Sequence, residues 1–285
     1  MPPEPPEPPV PPLSEPQPQI PKAMIAVTQA DRRIVLPFDQ QAFYDEKIVH
    51  LPDCYLVNDS TEVNLPAKPS RAQAGLPEVG FVFCCFNDHL KISASVFNIW
   101  MRMLNAVHGS VLWLLGDNPA AENNLRKEAA AHGVDPTRLV FAPRVANEEH
   151  LARHPLADLF LDTLPYGAHT AARDALFSGV PLVTCLGMTF AGRVAASVLE
   201  AAGLPELVTV NLEDYESLAL QLAKEPAVLQ KLREKLARNR QQCAFFDSDR
   251  YRRHIEGAYT TMWQRWQDGE PPEGFTVDAI AVRQK

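Results

Sequence analysis

The sequence predicts an α/β protein built on a doubly wound, Rossmann-like parallel sheet, followed by C-terminal helices. From residue 78 onward, apolar runs of strand length alternate with amphipathic stretches of helix length. The apolar runs are continuous, a pattern typical of a parallel sheet that is covered on both faces. Repeated β–α units of this length indicate a Rossmann-like arrangement.

The predicted elements follow one another at short intervals. The strand candidates are VGFVFCC (79–85), SVLWLL (110–115), RLVFAP (138–143), ADLFLDT (157–163), PLVTC (181–185) and LVTVN (207–211). Helices are expected to begin near Ser93, Pro119, Asn147, His169, Phe190 and Leu212. Asn147, followed by two glutamates, is the expected N-cap of its helix. Beyond residue 212 the chain is predicted to be helical, ending in a helix over 248–267 with one apolar face.

The part before residue 78 has a different composition. Residues 1–22 hold 11 of the 26 prolines, and proline has a fixed φ and no N–H donor, so we predict a disordered lead. Residues 23–77 are predicted to be a connector, with a short strand at RIVLPF (33–38) and a strand or loop passage at IVHLPDCYLVND (48–59). Residues 78–277 form the predicted domain with its C-terminal helices, and 278–285 a tail.

Composition and missing motifs exclude several classes of protein. An acidic chain with a net charge of -8 lacks the overall basic field that binding to nucleic acids or anionic membranes usually needs, and a local basic patch stays open as the alternative. The five cysteines include no C-x-x-C pair, which argues against a disulfide framework or a zinc ribbon. No signal peptide or long apolar span occurs, so the expected location is cytoplasmic. Phosphate-binding glycine motifs and a G-x-S-x-G elbow are absent, which disfavours P-loop NTPases, standard dehydrogenases and α/β-hydrolases.

Ligands of a doubly wound sheet bind in the loops after the strands. In the loop of residues 162–181, the small residue Gly167 precedes a helix that opens near His169 and Thr170, and free N–H groups of a helix start attract phosphate. Asp174, one turn further, is placed to accept hydrogen bonds from ribose hydroxyls. Equally open at this point are a capping role for His169 and a solvated position for Asp174.

Two other loops carry candidate residues. Lys91, just before the helix at Ser93, is placed to neutralise a diphosphate leaving group. The loop with Val145, His150 and Arg153 offers a ring that stacks on a base and a guanidinium that binds it. An ordinary surface lysine and an ordinary exposed helix start are the alternatives for these two loops.

His150 and His154 share one helix face, four residues apart, as metal ligands often do. The H-E-x-x-H motif is not present and no third ligand is evident, so we predict no metal site here.

Taken together, these loops resemble the C-terminal catalytic region of the O-GlcNAc transferase family, including its plant SPINDLY-type and bacterial members. The resemblance runs from about residue 40 to residue 277 and keeps order and spacing. The stretches that carry it are EKIVHLPDCYLVND, FCCFNDHLKIS, SVLWLL, RLVFAP, EEHLARHPLADLFLDTLPYGAHTAARDALFSGVPLVT, GRVAASVL and YTTMWQRWQDGEPPEGF.

The resemblance implies a GT-B architecture, in which two Rossmann-like halves enclose the active site, and maps this chain onto the second, UDP-sugar-binding half. It implies inverting transfer of N-acetylglucosamine from UDP-GlcNAc to Ser or Thr of proteins, without metal or cofactor. Lys91 resembles the lysine that stabilises the departing diphosphate. The implied UDP contacts are His169 and Thr170 at the phosphates, Asp174 at the ribose, and His150, Arg153 and Val145 on the uridine side.

The chain also departs from the family pattern. Asp88 stands where animal enzymes have glutamine, Ala171 where many members have a second threonine, and Asn147 where the family has lysine; Asp88 is therefore given no phosphate role. The tetratricopeptide repeats and the first Rossmann half are not present, so we expect a partner N-terminal catalytic half or repeat protein for activity. Two alternatives stay open: a non-catalytic UDP-sugar-binding fragment, and a protein glucosyltransferase that uses UDP-glucose.

Overall fold

The structure is a computed structural model that describes residues 23–27, 34–56 and 65–280. Its strands are β1 (Ala23–Val27), β2 (Lys47–Leu51), β3 (Val82–Cys85), β4 (Val111–Gly116), β5 (Leu139–Pro143), β6 (Leu159–Leu161), β7 (Leu182–Cys185), β8 (Val208–Thr209) and β9 (Phe275–Thr276). Its α-helices are α1 (Ala94–Ala106), α2 (Pro119–Ala131), α3 (Asn147–Arg153), α4 (Thr170–Phe177), α5 (Phe190–Ala201), α6 (Leu212–Lys224), α7 (Pro226–Asn239) and α8 (Ser248–Gln267). The predicted lead over 1–22 and the tail residues 281–285 lie outside the described residues. The division into lead, connector, domain and tail stays a prediction.

Six parallel strands form the main sheet, in the order β5-β4-β3-β6-β7-β8. Every residue of β3, β6 and β7 is buried, as expected for continuously apolar strands in a covered sheet. From β3 the chain adds β4 and β5 toward one edge of the sheet, and from β6 it adds β7 and β8 toward the other edge. This arrangement confirms the doubly wound, Rossmann-like fold. The strand order reverses between β3 and β6, so a crevice for ligands opens beyond their carboxyl ends.

The predicted strands and helix starts of this region are confirmed. Each apolar run contains a strand, and each helix begins within one residue of its predicted start. The N-cap prediction for Asn147 was wrong by one residue. Ala146 holds the extended cap conformation without a side-chain cap bond, and Asn147 is already helical, so its side chain does not cap the helix. None of the described helices is long and apolar enough to cross a membrane.

A second, three-stranded parallel sheet has the order β1-β2-β9. The passage from residue 48, for which the sequence left a strand and a loop open, contains β2 apart from its first residue. The strand predicted at RIVLPF is wrong for its described residues, 34–38, which form a bend and the start of a 3-10 helix, Phe38–Phe43. Val35 and Leu36 in this bend are buried. Their apolar character therefore reflects burial in the core instead of a strand, and Pro37, which lacks an N–H, caps the 3-10 helix.

A buried hydrogen-bond relay ties two helices to the end of β6. Trp100 on α1 donates from its indole N–H to the Tyr215 hydroxyl on α6, at 3.1 Å. Tyr215 in turn donates to the backbone carbonyl of Asp162, at 3.0 Å. Trp100 and Tyr215 are almost fully buried, so neither of their polar groups has water as a substitute partner.

The Tyr215→Phe variant is expected to lose about 2–4 kcal/mol of unfolding free energy. The reason is that the buried indole N–H of Trp100 and the buried carbonyl of Asp162 lose their hydrogen-bond partner, and each unsatisfied group costs about 1–3 kcal/mol. Urea denaturation measures the loss. Tyr259→Phe, on an exposed ring of α8, is the matched control and should stay within about 0.5 kcal/mol of the wild type. Equal stability of the two variants would contradict the relay.

Candidate functional site

The segments that follow β3 and β6 meet at the point where the strand order reverses. A short 3-10 helix, His89–Lys91, follows β3, and the loop to α4 follows β6. The Lys91 ammonium donates to the Gly167 carbonyl at 3.1 Å, and the Ser93 hydroxyl donates to the Leu164 carbonyl at 2.8 Å. The structure therefore brings together Lys91 and the start of α4, which the sequence analysis had placed in separate loops.

The Lys91 ammonium is partly removed from water. Its Nζ lies 3.8 Å from the centroid of the Tyr166 ring, a cation–π geometry. Burial lowers the pKa of Lys91, and the carboxylate of Asp162 opposes that shift. A cation in such surroundings binds an anion more strongly than a solvated surface lysine does, because the effective dielectric constant is lower.

The start of α4 adds backbone donors beside this cation. His169 stands at the N-cap without a side-chain cap bond, and Thr170 is the exposed first helical residue. The first N–H groups of a helix have no intrahelical acceptor, so they are available to a phosphate. The His169 ring donates from Nε2 to the Ala191 carbonyl at 3.2 Å, and burial, assisted by Lys91, lowers its pKa. The positive charge at this point therefore comes from Lys91 and the helix start.

Asp174 lies further along the same helix and is 9% exposed. Its Oδ1 accepts two bonds from the Arg173 guanidinium, at 3.0 and 2.8 Å. Burial raises the pKa of Asp174, and Arg173 opposes the shift. Since both of these bonds fall on Oδ1, Oδ2 is the oxygen placed to accept from a ligand hydroxyl.

The α3 side of the site is a packed cluster of rings. Arg153 is 6% exposed; it donates to the Pro143 carbonyl at 2.7 Å and to Nδ1 of His150 at 3.1 and 2.7 Å. A guanidinium only donates, so His150 Nδ1 accepts and its Nε2 carries the proton. The His150 ring packs edge-on against Phe86, at 5.0 Å between centroids.

The same cluster keeps His150 uncharged. Burial, with His154 and Arg153 adding to it, lowers the pKa of His150 to about 3. Arg153 has its described bonds inside the protein, and those to His150 Nδ1 fix the tautomer of that ring. Val145 is 40% exposed on the loop before α3. Ser178, the C-cap residue of α4, donates to the Leu151 carbonyl of α3 at 3.1 Å, which links the two sides of the site.

Metal-ligand spacing occurs at one group of the described residues, Asp88, His89 and Asp117. Asn118 Oδ1 accepts the N–H groups of the α2 start, so its amide nitrogen faces His89 Nε2, at 3.4 Å. His89 Nε2 is then the acceptor, and Nδ1, which faces both carboxylates, carries the proton. Asp117 is also paired with Arg144. This donor set does not fit a divalent cation.

His150 and His154, the two histidines four residues apart for which no metal site was predicted, have their ring nitrogens in other contacts. His154 Nδ1 donates to the His150 carbonyl at 2.7 Å, and His150 Nδ1 is taken by Arg153. Asp88, to which no phosphate role was assigned, accepts the N–H of Leu90 and caps the 3-10 helix.

Sequence reasoning missed two residues of the site, Tyr166 and Asp162. Tyr166 is 46% exposed and lies between Lys91 and His169, with its ring 5.1 Å from the imidazole. Asp162 is a charged residue placed directly after the apolar strand β6 and before a loop with Gly167. That position at a carboxyl strand end was the available signal.

Comparison with known proteins identifies relatives of the chain. The model of glycosyl transferase family 41 matches residues 60–255. The chain is 39% identical over 249 residues to "Probable UDP-N-acetylglucosamine–peptide N-acetylglucosaminyltransferase SEC" of Arabidopsis thaliana, covering 85% of this chain and 26% of that protein. It is also 39% identical to UDP-N-acetylglucosamine–peptide N-acetylglucosaminyltransferase of Caenorhabditis elegans, over 73% of this chain and 18% of that protein.

Comparison with solved structures also finds an O-GlcNAc transferase. A mutant O-GlcNAc transferase of Thermobaculum terrenum superposes with a TM-score of 0.72 and 29% identity, over 86% of this chain and 46% of that chain. Sucrose-phosphate synthase of Thermosynechococcus elongatus, at 15% identity and a TM-score of 0.57, shares the fold. The chain thus spans about a quarter of the length of its Arabidopsis relative.

Proposed function

The chain belongs to glycosyl transferase family 41, and on that premise we propose that it is the UDP-sugar-binding part of a protein O-GlcNAc transferase. The reaction is transfer of N-acetylglucosamine from UDP-GlcNAc to Ser or Thr of proteins, with inversion and without metal. The observation that carries the proposal is the meeting of the Lys91 ammonium and the α4 helix start at the switch point of the sheet.

The proposed donor position follows from the charges. The diphosphate lies between Lys91 and the N–H groups at His169 and Thr170, where cation and helix dipole favour negative charge. The ribose lies at Asp174, and the uracil lies against His150. The site has a cationic end for phosphate and a neutral, ring-lined end for a base.

In the proposed mechanism, the acceptor hydroxyl attacks the anomeric carbon while the bond between that carbon and the UDP oxygen breaks. The hydroxyl proton is released to water, so the products are the glycosylated acceptor, UDP and one proton. Negative charge grows on the departing diphosphate, so groups that bind this charge lower the barrier. Lys91 is the catalytic residue in this sense, and the α4 start assists it. The acceptor side is proposed to come from an N-terminal catalytic half or a tetratricopeptide-repeat protein, since the matched region is 26% of the Arabidopsis relative.

Calorimetric titration of the chain with UDP, uridine and UDP-GlcNAc tests the proposal. We expect UDP to bind at least about 10-fold more tightly than uridine, because the diphosphate contacts charged donors. Asp174→Ala should weaken UDP binding roughly 10-fold through loss of a charged acceptor. Asp268→Ala, at the exposed end of α8, is the control and should not change the affinity. A folded wild-type chain that does not bind UDP would refute the proposal.

A further inference from the structure

Asp162 is a buried carboxylate, 2% exposed, that is surrounded by donors. Its Oδ1 accepts the backbone N–H groups of Thr163 and Ala168, each at 2.7 Å, and the side-chain amide of Asn87 at 3.2 Å. Its Oδ2 accepts the hydroxyl of Thr184 on β7 at 2.7 Å. Burial raises the pKa of Asp162, and the bonds from these four donors oppose that shift. Because all four bonds are accepted by the carboxyl oxygens, the geometry matches the ionised form, which only accepts hydrogen bonds.

The bond to Ala168 sets the direction of the neighbouring carbonyl. The Gly167 carbonyl and the Ala168 N–H belong to one planar trans peptide unit, so they point in opposite directions. With its N–H held by Asp162, this peptide presents its carbonyl on the other side, where Lys91 donates to it at 3.1 Å. Asp162 therefore acts on Lys91 through one rigid peptide group.

The loop is too tightly packed at this peptide to hold a side chain at Gly167. A Cβ added to Gly167 would lie 3.0 Å from Oδ2 of Asp162, which is tighter than an ordinary van der Waals contact. The Gly167 N–H donates to the Ala191 carbonyl at 3.0 Å, and the Thr163 hydroxyl donates to the Tyr166 carbonyl at 2.7 Å. The backbone up to the start of α4 is thereby fixed by the carboxylate and the groups around it.

Asp162 also supplies negative charge beside the ammonium. Burial lowers the pKa of Lys91, and Asp162 is the largest of the groups that raise it. Two other titratable groups lie near Lys91. Burial raises the pKa of the Cys85 thiol and so keeps it neutral, and burial lowers the pKa of His169. Within the described part of the chain, the titratable neighbours of Lys91 are Asp88, Cys85, Asp162, Tyr166 and His169.

We infer that Asp162 is a positioning residue for the transfer reaction: it orients the Gly167–Ala168 peptide and holds Lys91 cationic at the place where the leaving diphosphate binds. This role rests on the proposed function, since it concerns the same site. No contact between Asp162 and the nucleotide is involved.

The test measures the titration of Lys91 with and without the carboxylate. The chain is reductively ¹³C-methylated, and the Lys91 signal, assigned with Lys91→Arg, is followed by NMR against pH in the absence of nucleotide. In Asp162→Asn the midpoint should fall by about one pH unit or more, because an opposing charge has been removed. Asp158→Asn is the matched control, since Asp158 is ion-paired with Arg71 and Arg233 at the other end of β6. It should leave the Lys91 midpoint unchanged.

UDP titration of the same variants supplies the second readout. Asp162→Asn should weaken UDP binding about 10-fold or more, since both the cation and the α4 start are disturbed. If Asp162→Asn does not fold, Asp162→Glu replaces it. This variant keeps the charge but displaces it by a methylene, so it should retain the Lys91 midpoint and weaken UDP binding.

The outcomes separate the two proposals. A folded Asp162→Asn chain with the wild-type Lys91 midpoint, or an Asp162→Glu chain with wild-type UDP affinity, would overturn the role of Asp162. Failure of the wild-type chain to bind UDP would instead overturn the proposed function, while the nucleotide-free NMR midpoint would still decide whether Asp162 controls Lys91.

Discussion

Replacing Lys91 with alanine is expected to weaken UDP binding by roughly 10- to 100-fold, which corresponds to the loss of one hydrogen bond between charged groups in a partly buried site. Lys91 contributes the only side-chain cation that the described contacts place at the Gly167 carbonyl and the Tyr166 ring. In Lys91→Ala, the diphosphate keeps the α4 helix start but loses its counter-charge. Calorimetry with UDP measures the difference.

The pH dependence of UDP binding should also report the contribution of Lys91. The bond from Lys91 to the diphosphate requires the ammonium form, so the contribution of Lys91 to the affinity is present below its pKa and is lost as the pH rises through that value. Burial lowers this pKa, so the affinity should begin to fall at a lower pH than an exposed lysine would give. The phosphate groups themselves are already ionised above about pH 7.

Lys235→Ala is the matched control, because Lys235 forms an exposed ion pair with Glu206. This variant should retain both the wild-type affinity and its alkaline decline, whereas Lys91→Ala should show a flat profile. A Lys91→Ala chain that binds UDP as tightly as the wild type, with the same alkaline decline, would remove Lys91 from the phosphate site.

The strands of the main sheet were predictable because the sequence pattern that specifies each of them lies within the strand itself. Each strand of a covered parallel sheet is continuously apolar, as VFCC in β3 and LFL in β6 show. The adjacency of β3 and β6 also follows from the fold class, and it places Lys91 near the start of α4. The second sheet was not predictable in this way, because β2 and β9 are more than 200 residues apart and β9 has two residues.

The interactions inside the site were harder to predict from the sequence than the position of the site in the fold. A role for Arg153 near a base was expected from the resemblance, but its partner His150 and the resulting tautomer depend on ring packing around Phe86. Asp162 falls inside the strand candidate ADLFLDT (157–163), and nothing local in the sequence indicates its role, because its four donors come from three separate segments of the chain. Hydrogen bonds between distant segments leave no periodic pattern in a sequence.

Removing the Asp53 carboxylate is expected to lower the unfolding free energy by about 3–5 kcal/mol, the usual cost of breaking a buried ion pair. Asp53 follows β2 and accepts from the guanidinium of Arg250 on α8, whose side chain is 6% exposed. His254, one turn along α8, faces the same carboxylate with Nδ1 at 3.3 Å. Asp53→Ala leaves a buried guanidinium without its carboxylate.

The second contact also depends on this carboxylate. His254 Nε2 accepts a hydrogen bond from the backbone N–H of Ile280 at 3.1 Å. In the neutral ring the proton is therefore on Nδ1, which donates to the Asp53 carboxylate. Burial is the largest cause of the lowered pKa of His254, and Asp53 opposes it. The neutral ring of Asp53→Ala would therefore have a buried N–H with no acceptor, which adds to the cost.

Urea denaturation and hydrogen exchange of α8 measure this effect. Arg252→Ala is the control, because Arg252 pairs with Asp249 and Glu256 on the exposed side of the same helix, where such pairs contribute about 0.5 kcal/mol or less. If Asp53→Ala costs no more than Arg252→Ala, apolar packing alone holds α8. A large loss with faster exchange in α8 would show that this helix is attached to the second sheet through a buried charge pair, separately from the nucleotide site.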